Sequence, residues 1–533
     1  MTNVAERQRR NLTDVWHRQV ADRPIEERLA LLAVGILTAA AAAIRGEGFS
    51  NLGLFRDDAW VALSSRTGLG TAWHMWVTAP GFMFLERTFI IVGPSATWWD
   101  QIPPFVAGVL AVPVIYAVVR YFGIGRIGGL VGALFVCVSP VCITYSTRIK
   151  EYSLDLLLTC LLLVVVEQAR RTGGRRQIAI CAAVSVAAFL LSASTAVVIV
   201  GAWLALGLLG LRDRSTRGTL VPLGAIATAG CAVVAVIFYG HISPALNRFW
   251  SENSGFIQRG SASQFVTSLH HTAWSLLSGT FDLPGFSTAE EVLIIAVWLA
   301  LSSVSLYRNR ILLAPGLVVL VAVIGSAAHV MPLGTGRTDE YLYPVLLVLP
   351  LAGGSRVIQA ASPHAEVLRG QARRAVMVAL ATVATVLSFL IIDHEATVTP
   401  AYPGVGVQQL AAEISQNEKP GDHIFVNELM RYPWALYESH PLRIELGQDW
   451  STGFTVVSTD PSVFIDPSED YEGDQHPVQW AKEMNRYTRL WYVWSPPLGV
   501  FTFSYGALLG DGWHVAQTLT APGCEAYLLV RTK

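Results

Sequence analysis

Long apolar runs separated by short polar segments fill the first 392 residues of the chain. A run of roughly 17–25 apolar residues is long enough to cross a lipid bilayer as a helix. Such runs occur near residues 29–45, 101–121, 127–145, 152–168, 177–193, 195–211, 219–239, 289–306, 311–330, 341–355 and 375–392. The pattern therefore predicts eleven membrane-spanning helices, with the 177–211 stretch divided at Ser192–Thr195.

The pattern changes after residue 392, where short apolar segments alternate with polar ones and no further span follows. This tail holds 18 acidic residues against 8 basic ones. Its periodicity predicts short helices and strands. The helices are Val405–Gln416, Arg431–Ser439 and Val478–Asn485, and the strands are His423–Asn427, Phe454–Ser458, Arg489–Trp494, His514–Thr518 and Glu525–Arg531. We interpret the tail as a small α/β domain outside the bilayer.

Composition agrees with a membrane protein, since 52% of the residues are hydrophobic and only 14% are charged. A soluble domain carries about 25% charged residues. The net charge of −1 gives no indication of nucleic-acid binding, and the six cysteines form no disulfide framework. The sequence contains no Walker loop, no nucleophile elbow and no Cys/His spacing typical of a metal site.

Arginines predict the orientation, because cytoplasmic loops carry an excess of basic residues. Basic clusters occur at every second loop, at residues 7–28, 120–126, 170–176, 212–217, 308–310 and 356–374. We therefore expect a polytopic α-helical protein of the cytoplasmic (inner) membrane with its N-terminus inside. The predicted domains are a cytoplasmic segment 1–28, a transmembrane domain 29–392 with a first outer loop 46–100, and an extracytoplasmic α/β domain 393–533.

The first outer loop carries two adjacent acids, Asp57 and Asp58, which form the only Asp-Asp pair of the chain. An acidic pair beside a membrane span must face water, a cation or a substrate. Further along the loop, Trp73–Thr78 and Phe82–Val92 are apolar enough to lie along the membrane surface as helices. The pair is a candidate catalytic site, and the alternative is a solvated helix cap.

A second polar cluster lies at the predicted outer end of the fourth span and contains Arg148, Lys150, Tyr152 and Asp155. Lys150 is the only lysine among the first 418 residues. A helix that began at Arg148 would place Arg148, Tyr152 and Asp155 on one face. Arginine and lysine together at a membrane edge suit a phosphate carried by a lipid. The alternative is a pair of snorkelling basic residues with Asp155 as their counter-ion.

A third cluster, Gly334–Pro344, lies before the tenth span and contains Arg337. Its guanidinium is a further candidate for the same phosphate, and the alternative is a short charged loop between two helices. The predicted outer loop 240–288 also holds polar and aromatic residues, among them Trp250, but they follow no pattern.

These motifs resemble the GT-C superfamily of integral-membrane glycosyltransferases, in the branch of protein O-mannosyltransferases and lipid A aminoarabinose transferases. The resemblance covers roughly residues 30–355. Its carriers are Asp57-Asp58-Ala59, Ser139-Pro140, the stretch Arg148–Asp155 and Gly336-Arg337-Thr338. The family often has Asp-Glu at the first motif, so the Asp-Asp of this chain leaves open which carboxylate acts as the base.

The resemblance implies a GT-C-like fold and a sugar donor attached to a polyprenyl phosphate. It implies that Asp57 is the general base for an inverting transfer to a hydroxyl of a glycan, glycolipid or protein. It further implies that Arg148, Lys150 and Arg337 neutralise the charge of the phosphate and that Tyr152 binds the phosphate or the sugar. Asp58 would orient the acceptor or help to hold a divalent cation such as Mg²⁺ or Mn²⁺, which only some family members need.

Three other functions remain open from the sequence. A transporter or lipid flippase would also have many spans, but its charges are expected at mid-bilayer on broken helices. Of the 16 acids between Leu29 and Ile392, only Glu167, Asp213 and Glu366 are predicted on the inner side, which favours chemistry at the outer surface. The second is an oligosaccharide ligase that uses a diphosphate-linked donor, and the third is a non-catalytic binding protein.

Overall fold

The structure is a computed structural model in which ten of the eleven predicted spans coincide with helices, while the span at 375–392 lies outside the described residues. The structure describes residues 25–49, 53–72, 74–75, 78–93, 96–210, 214–239, 250–252, 255–281, 288–307, 312–361, 405–437, 442–446, 453–466, 476–496 and 503–531. Trp73 and Trp76 of the first predicted surface helix are therefore not described. The second is the helix Pro80–Val92.

The helices of the first 361 residues are numbered in chain order. They are α1 (Ile25–Glu47), α2 (Arg56–Arg66), α3 (Leu69–Ala72), α4 (Pro80–Val92), α5 (Thr97–Asp100), α6 (Ile102–Tyr121), α7 (Arg126–Val138), α8 (Pro140–Tyr145), α9 (Tyr152–Thr172), α10 (Arg175–Leu191), α11 (Thr195–Gly210), α12 (Arg214–Val234), α13 (Ala262–Phe281), α14 (Thr288–Leu306), α15 (Leu313–Ala327) and α16 (Tyr343–Ala361). A π-helical turn, Ala235–Tyr239, follows α12, and a 3₁₀ turn, Glu340–Leu342, precedes α16.

Four segments of the described chain are long and apolar enough to cross a membrane, namely α1, α6, α9 and Thr216–Tyr239. Other apolar helices, such as α7 and α15, are shorter. Large apolar side chains are exposed on the outside of the bundle, including Ile226 on α12 and Leu293 on α14. An apolar surface of this kind is stable only against lipid or another protein. The chain is a membrane protein, and the number of eleven spans stays a prediction.

The interior of the bundle is formed where α9 packs between α6, α10 and α11, and where α1 and α7 pack against α6. Apolar side chains of these helices join one core with those of α16, such as Leu156, Leu163 and Leu346. Close packing of this kind fixes the ends of the helices relative to one another. The segments that carry the polar clusters are therefore held at defined positions at one end of the bundle.

The tail has the predicted α/β character. Its elements are α17 (Val407–Asn417), β1 (His423–Val426), α18 (Arg431–Tyr437), β2 (Leu442–Leu446), β3 (Phe454–Ser458), β4 (Val463–Ile465), α19 (His476–Glu483), β5 (Arg489–Trp494), α20 (Phe503–Gly510), β6 (Trp513–Ala521) and β7 (Cys524–Arg531). Among them, β2, β4 and α20 are absent from the sequence prediction. They are three to eight residues long.

Five strands of the tail form one sheet in the order β4-β1-β5-β7-β6, and β2 and β3 pair separately. The strands β4, β1 and β5 are parallel, with Ile424 opposite both Val463 and Trp491. The strands β7 and β6 join the sheet antiparallel. The three parallel strands therefore end at the same edge of the sheet.

The tail and the first outer loop share one hydrophobic core. Leu54 and Val61 from the loop pack in the same cluster as Val407, Trp434 and Trp491 from the tail. The predicted domain boundary at residue 393 lies outside the described residues, and the boundaries stay predictions. The shared core nevertheless joins the α/β tail directly to the segment that carries the acidic pair.

Candidate active site

The acidic pair lies in the first turn of α2, where Asp57 and Asp58 follow Arg56. Negative charge is favourable at the N-terminus of a helix, because the free amide groups there carry partial positive charge. Phe55, the residue before the helix, provides no side-chain cap. A helix of 11 residues is marginal in water by itself. Its position therefore depends on the packing of its buried residues against the rest of the protein.

Asp58 is buried, with a side chain that is only 2% exposed, and both of its carboxylate oxygens have partners. Arg148 donates from Nε to Oδ2 at 2.6 Å, and the backbone amide of Ile149 donates to Oδ1 at 2.9 Å. Burial raises the pKa of Asp58, and the Arg148 guanidinium partly opposes that rise. Asp58 thus fixes the Arg148–Ile149 segment against α2.

The helix α9 begins at Tyr152, as the apolar run 152–168 predicts, and Arg148 lies in the preceding turn. The amide of Lys150 bonds back to the carbonyl of Arg148 at 2.7 Å. Arg148 therefore does not share a helix face with Tyr152 and Asp155, because a helix that begins at Arg148 is not formed. Asp155 instead accepts a hydrogen bond from the Ser194 hydroxyl, so the basic residues take their counter-ions from α2.

Lys150 is buried against the aromatic face of α2. Its Nζ lies 4.5 Å from the centre of the Trp60 ring, and the residue is 7% exposed. Burial lowers the pKa of Lys150, and the nearby carboxylates of Asp57, Glu151 and Asp58 oppose that shift. An ammonium in such a place attracts an anion strongly, since little water screens it. The Trp60 ring therefore covers the Lys150 ammonium.

Asp57 is the more accessible acid of the pair, with a side chain that is 18% exposed. Its Oδ2 lies 3.4 Å from Nη1 of Arg337, which is longer than a strong charge-assisted hydrogen bond. The Arg337 guanidinium lies over the Trp250 ring at 5.0 Å. The structure therefore brings Arg337 to the acidic pair across 280 residues of sequence.

Asp339 holds the loop that presents Arg337. Its carboxylate accepts hydrogen bonds from the backbone amides of Gly334 at 3.2 Å and Gly336 at 2.9 Å. Both glycines have positive φ angles, 77° and 79°, which side chains rarely adopt. Burial raises the pKa of Asp339 to about 6, although the backbone amides oppose the shift. The protonation of this buried acid is therefore coupled to the shape of the Arg337 loop.

Tyr152 and Glu151 also lie close to Asp57 and Arg337. The Tyr152 ring packs edge-on against Tyr145, with the ring centres 5.0 Å apart. Glu151 accepts a hydrogen bond from the Thr78 hydroxyl. Thr78 also lines a small cavity, partly open to the surface, whose other walls are apolar, among them Met83 and Phe238. The charged site therefore adjoins an apolar hollow.

The structure thus gathers the residues of all three predicted clusters at one place. Arg148, Lys150 and Arg337 are placed around Asp57 and Asp58. Sequence reasoning missed three supporting residues. Trp250 followed no pattern, and Asp339 was one acid of a charged loop. The third is Glu428 in the tail, which pairs with Arg56 at 3.1 Å. No local signal could have found Glu428, because 372 residues separate the partners.

Within the described part of the chain, no three His, Cys, Asp or Glu side chains are grouped so that they could hold a metal ion. Both oxygens of Asp58 already accept hydrogen bonds. The role of Asp58 in holding a divalent cation stays a prediction.

Two crystal structures share the architecture of this chain. ArnT from Cupriavidus metallidurans in the apo state is 14% identical, with a TM-score of 0.53 over 93% of this chain and 97% of that chain. The structure of ArnT from the same organism bound to undecaprenyl phosphate is 15% identical, with a TM-score of 0.52 and the same coverage. No family model matches the sequence, and no curated protein matches it.

The chain has an ArnT-like fold. The resemblance to GT-C glycosyltransferases, which rests on the motifs of residues 30–355, is thereby confirmed at the level of the fold. The ArnT-like fold extends beyond those motifs, since the match spans 93% of the chain. It therefore includes the α/β tail as well as the helical bundle.

Proposed function

We propose that this protein is a membrane glycosyltransferase that moves a sugar from a polyprenyl-phosphate donor to an acceptor hydroxyl at the outer face of the cytoplasmic membrane. The observation that carries the proposal is the convergence of three cationic side chains on the acidic pair, namely Arg148, Lys150 and Arg337. Such a cluster suits a phosphate leaving group beside a general base. The ArnT structure that holds undecaprenyl phosphate supports the same class of donor.

In the proposed mechanism Asp57 is the general base. Its carboxylate removes the proton of the acceptor hydroxyl while the hydroxyl oxygen attacks the anomeric carbon from the side opposite the phosphate. The bond between that carbon and the phosphate oxygen breaks, and polyprenyl phosphate leaves with the electron pair. The configuration at the anomeric carbon is therefore inverted. Asp57 suits this role because it is partly exposed and its contact with Arg337 is long.

Asp58 has a different role in this proposal. Its oxygens are occupied by Arg148 and the Ile149 amide, so it positions the phosphate-binding segment. Arg148, Lys150 and Arg337 neutralise the charge that develops on the phosphate, and Tyr152 contributes a hydrogen bond to the phosphate or the sugar. Buried or aromatic-covered cations act strongly here because little water screens them.

The apolar cavity beside the site supports a lipid-linked donor. It lies next to Glu151 through Thr78, and Met75, Met83 and Phe84 form apolar parts of its wall. We propose that the isoprene units next to the phosphate enter this hollow while the phosphate lies at Lys150. A soluble nucleotide sugar would gain nothing from such an apolar wall.

The decisive experiment uses purified protein in nanodiscs with polyprenyl phosphates that carry mannose, glucose, arabinose or galactose, with and without a crude envelope fraction as acceptor. We expect release of free polyprenyl phosphate that the acceptor stimulates. The substitution Asp57→Asn should lower this release by about 10²–10⁴-fold, because it removes the base. Glu413→Gln is the matched control, since Glu413 lies on α17 and its carboxylate accepts a hydrogen bond from its helix neighbour Gln409.

Three outcomes would contradict the proposal. Release that occurs only from diphosphate-linked donors would identify an oligosaccharide ligase instead. Absence of release from every donor, together with movement of labelled lipid across the bilayer, would identify a transporter. Full activity of Asp57→Asn would show that Asp57 is not the base.

A further inference from the structure

The parallel strands of the α/β tail end at an edge where such sheets commonly bind ligands. From β1 the chain moves to β4 on one side of β1, and then to β5 on its other side. The order therefore reverses at β1, and the crevice beyond the carboxyl ends of the strands at such a point is the usual binding site of an open α/β sheet.

Glu428 lies at this edge, two residues beyond the end of β1. Asn427 fixes its position: its amide bonds to the carbonyl of Val493 at the end of β5 at 2.9 Å, and its side chain accepts from the amide of Leu429 at 3.2 Å. Glu428 is 5% exposed. It is therefore a buried acid held in a defined place.

The partner of Glu428 comes from the helix that carries the proposed base. Arg56, the first residue of α2, donates from Nη2 to Oε1 of Glu428 at 3.1 Å. Arg56 directly precedes Asp57 in the chain. The edge of the sheet that would ordinarily bind a ligand thus binds the N-terminus of α2.

Three further contacts hold the first outer loop against the tail. The Trp60 and Tyr432 rings meet edge-on with centres 5.8 Å apart. Thr97 and Tyr437 share a hydrogen bond of 3.0 Å between their hydroxyl groups. A Cβ atom at Gly53, where φ is 140°, would lie 2.4 Å from the carbonyl oxygen of Val405, so the chain before α2 runs directly against the start of the tail.

We propose that the α/β tail is a positioning domain, in which Glu428 acts through Arg56 to set the orientation of α2 and therefore of the Asp57 carboxylate. This inference rests on the proposed function of Asp57. The physical reason is the shortness of α2, which is marginal without external contacts. A displacement of a reacting group by about 1 Å can cost about 10²-fold in rate.

The test compares Glu428→Gln with Glu445→Gln, which removes a partly exposed acid of β2 that pairs with Arg443. Amide hydrogen exchange reports the order of α2 without any assay of transfer. We expect Glu428→Gln to increase exchange in the peptide 56–66 by about tenfold, with exchange in α9 unchanged, because local opening depends on local contacts. Glu445→Gln should leave both peptides as in the wild type.

The activity arm uses the same two variants. We expect Glu428→Gln to lower kcat by about tenfold while the KM for the donor stays within about twofold, since the phosphate-binding side chains lie on other segments. The charge-exchanged double variant Arg56→Glu, Glu428→Arg should recover part of the loss, because it restores an ion pair at the same place.

Unchanged exchange in residues 56–66 would overturn the proposal, and so would faster exchange throughout the bundle, which indicates a general loss of stability. If the wild type transfers no sugar, the proposed function fails, and the exchange measurement still decides whether Glu428 orders α2. If exchange rises in α2 but kcat does not change, the tail does not position the base.

Discussion

The two ends of the helical bundle both contain ion pairs, but these pairs differ in how far their side chains are exposed to water. At one end Arg126 donates to Glu26 at 2.6 Å and to Glu27 at 2.7 Å, with all three side chains at least 15% exposed. At the other end Arg148 and Asp58 pair at 2.6 Å with 12% and 2% exposure. The first arrangement is partly exposed, whereas the second contains a carboxylate that is almost fully removed from water.

This difference separates structural charge from candidate chemistry. Exposed pairs contribute little to stability, because water and salt screen them. A buried pair is costly to form and very costly to break. The buried end also holds an acid with a long contact, Asp57, and a lysine covered by an aromatic ring, Lys150. Buried charged groups with shifted pKa values, such as Asp58 and Lys150, are common at functional sites.

The strongest test of the comparison is Arg148→Met. This substitution removes the guanidinium that pairs with the buried Asp58 carboxylate, while the hydrogen bond from the Ile149 amide remains. We expect the free energy of unfolding to fall by about 3 kcal/mol, measured as a lower melting temperature in detergent micelles. Adding Asp58→Asn should restore part of this loss, since the uncompensated charge is removed. An unchanged melting temperature would show that the pair is not removed from water.

Lys150 tests whether the site needs a compact ammonium. Lys150→Met should lower kcat/KM for transfer by about 100-fold, because it removes one charge that stabilises the leaving phosphate. Lys150→Arg should not restore activity, since the planar guanidinium is larger and the residue is only 7% exposed. If Lys150→Arg had the same kcat/KM as the wild type, only the positive charge of this side chain would matter.

The raised pKa of Asp339 predicts that the stability of the protein depends on pH. Its folded-state pKa is about 6 against an ordinary value of 3.8, so between these values the folded protein binds more protons than the unfolded chain. Stability contributed by this group is therefore present below about pH 4 and is lost as pH rises through about 6. The difference in free energy of unfolding, wild type minus Asp339→Asn, should fall by about 2 kcal/mol between pH 4 and pH 7.

Thermal unfolding of both proteins at each pH measures this difference, and the common titration of other acids cancels in the subtraction. A difference that rises with pH would contradict the expected direction of the effect. Asp339→Asn should also lower transfer activity, because the Asp339 carboxylate holds the loop that presents Arg337.

The smallest effect is expected at the partly exposed end. Arg126→Gln should lower the free energy of unfolding by no more than about 1 kcal/mol and should leave transfer unchanged, because the pairs it breaks are partly exposed. The same melting and transfer measurements apply. A loss as large as that of Arg148→Met would remove the distinction between the two ends.

Periodicity alone predicted most of the helices, because a membrane span must be apolar over its whole length. It also predicted the strands β3 and β5 with their observed bounds. It placed the start of the fourth span at residue 152, where α9 begins, but it could not show how the segment from Arg148 to Glu151 is arranged. The polar stretch before Tyr152 has no apolar period to mark the first turn, and the turn is fixed by Asp58 from another segment.

Within the candidate site, the sequence determined which side chains were available: an acidic pair beside a span, one lysine in an arginine-rich chain, and an arginine in a glycine-containing loop. Unusual residues at a membrane edge stand out because burying charge there is costly. The tertiary structure decided how they are used. It buried Asp58 and left Asp57 accessible, a distinction that two adjacent identical residues cannot show.

The tertiary structure alone also decided that the α/β tail contacts α2. The Arg56–Glu428 pair joins residues 372 positions apart, and no local pattern encodes a contact at that separation. Hydrophobic periodicity and charge cost act within a few turns of chain, so the sequence by itself determined the elements and their chemical inventory. Contacts between distant segments depend on how all the apolar faces pack together, and these contacts determined the geometry of the site.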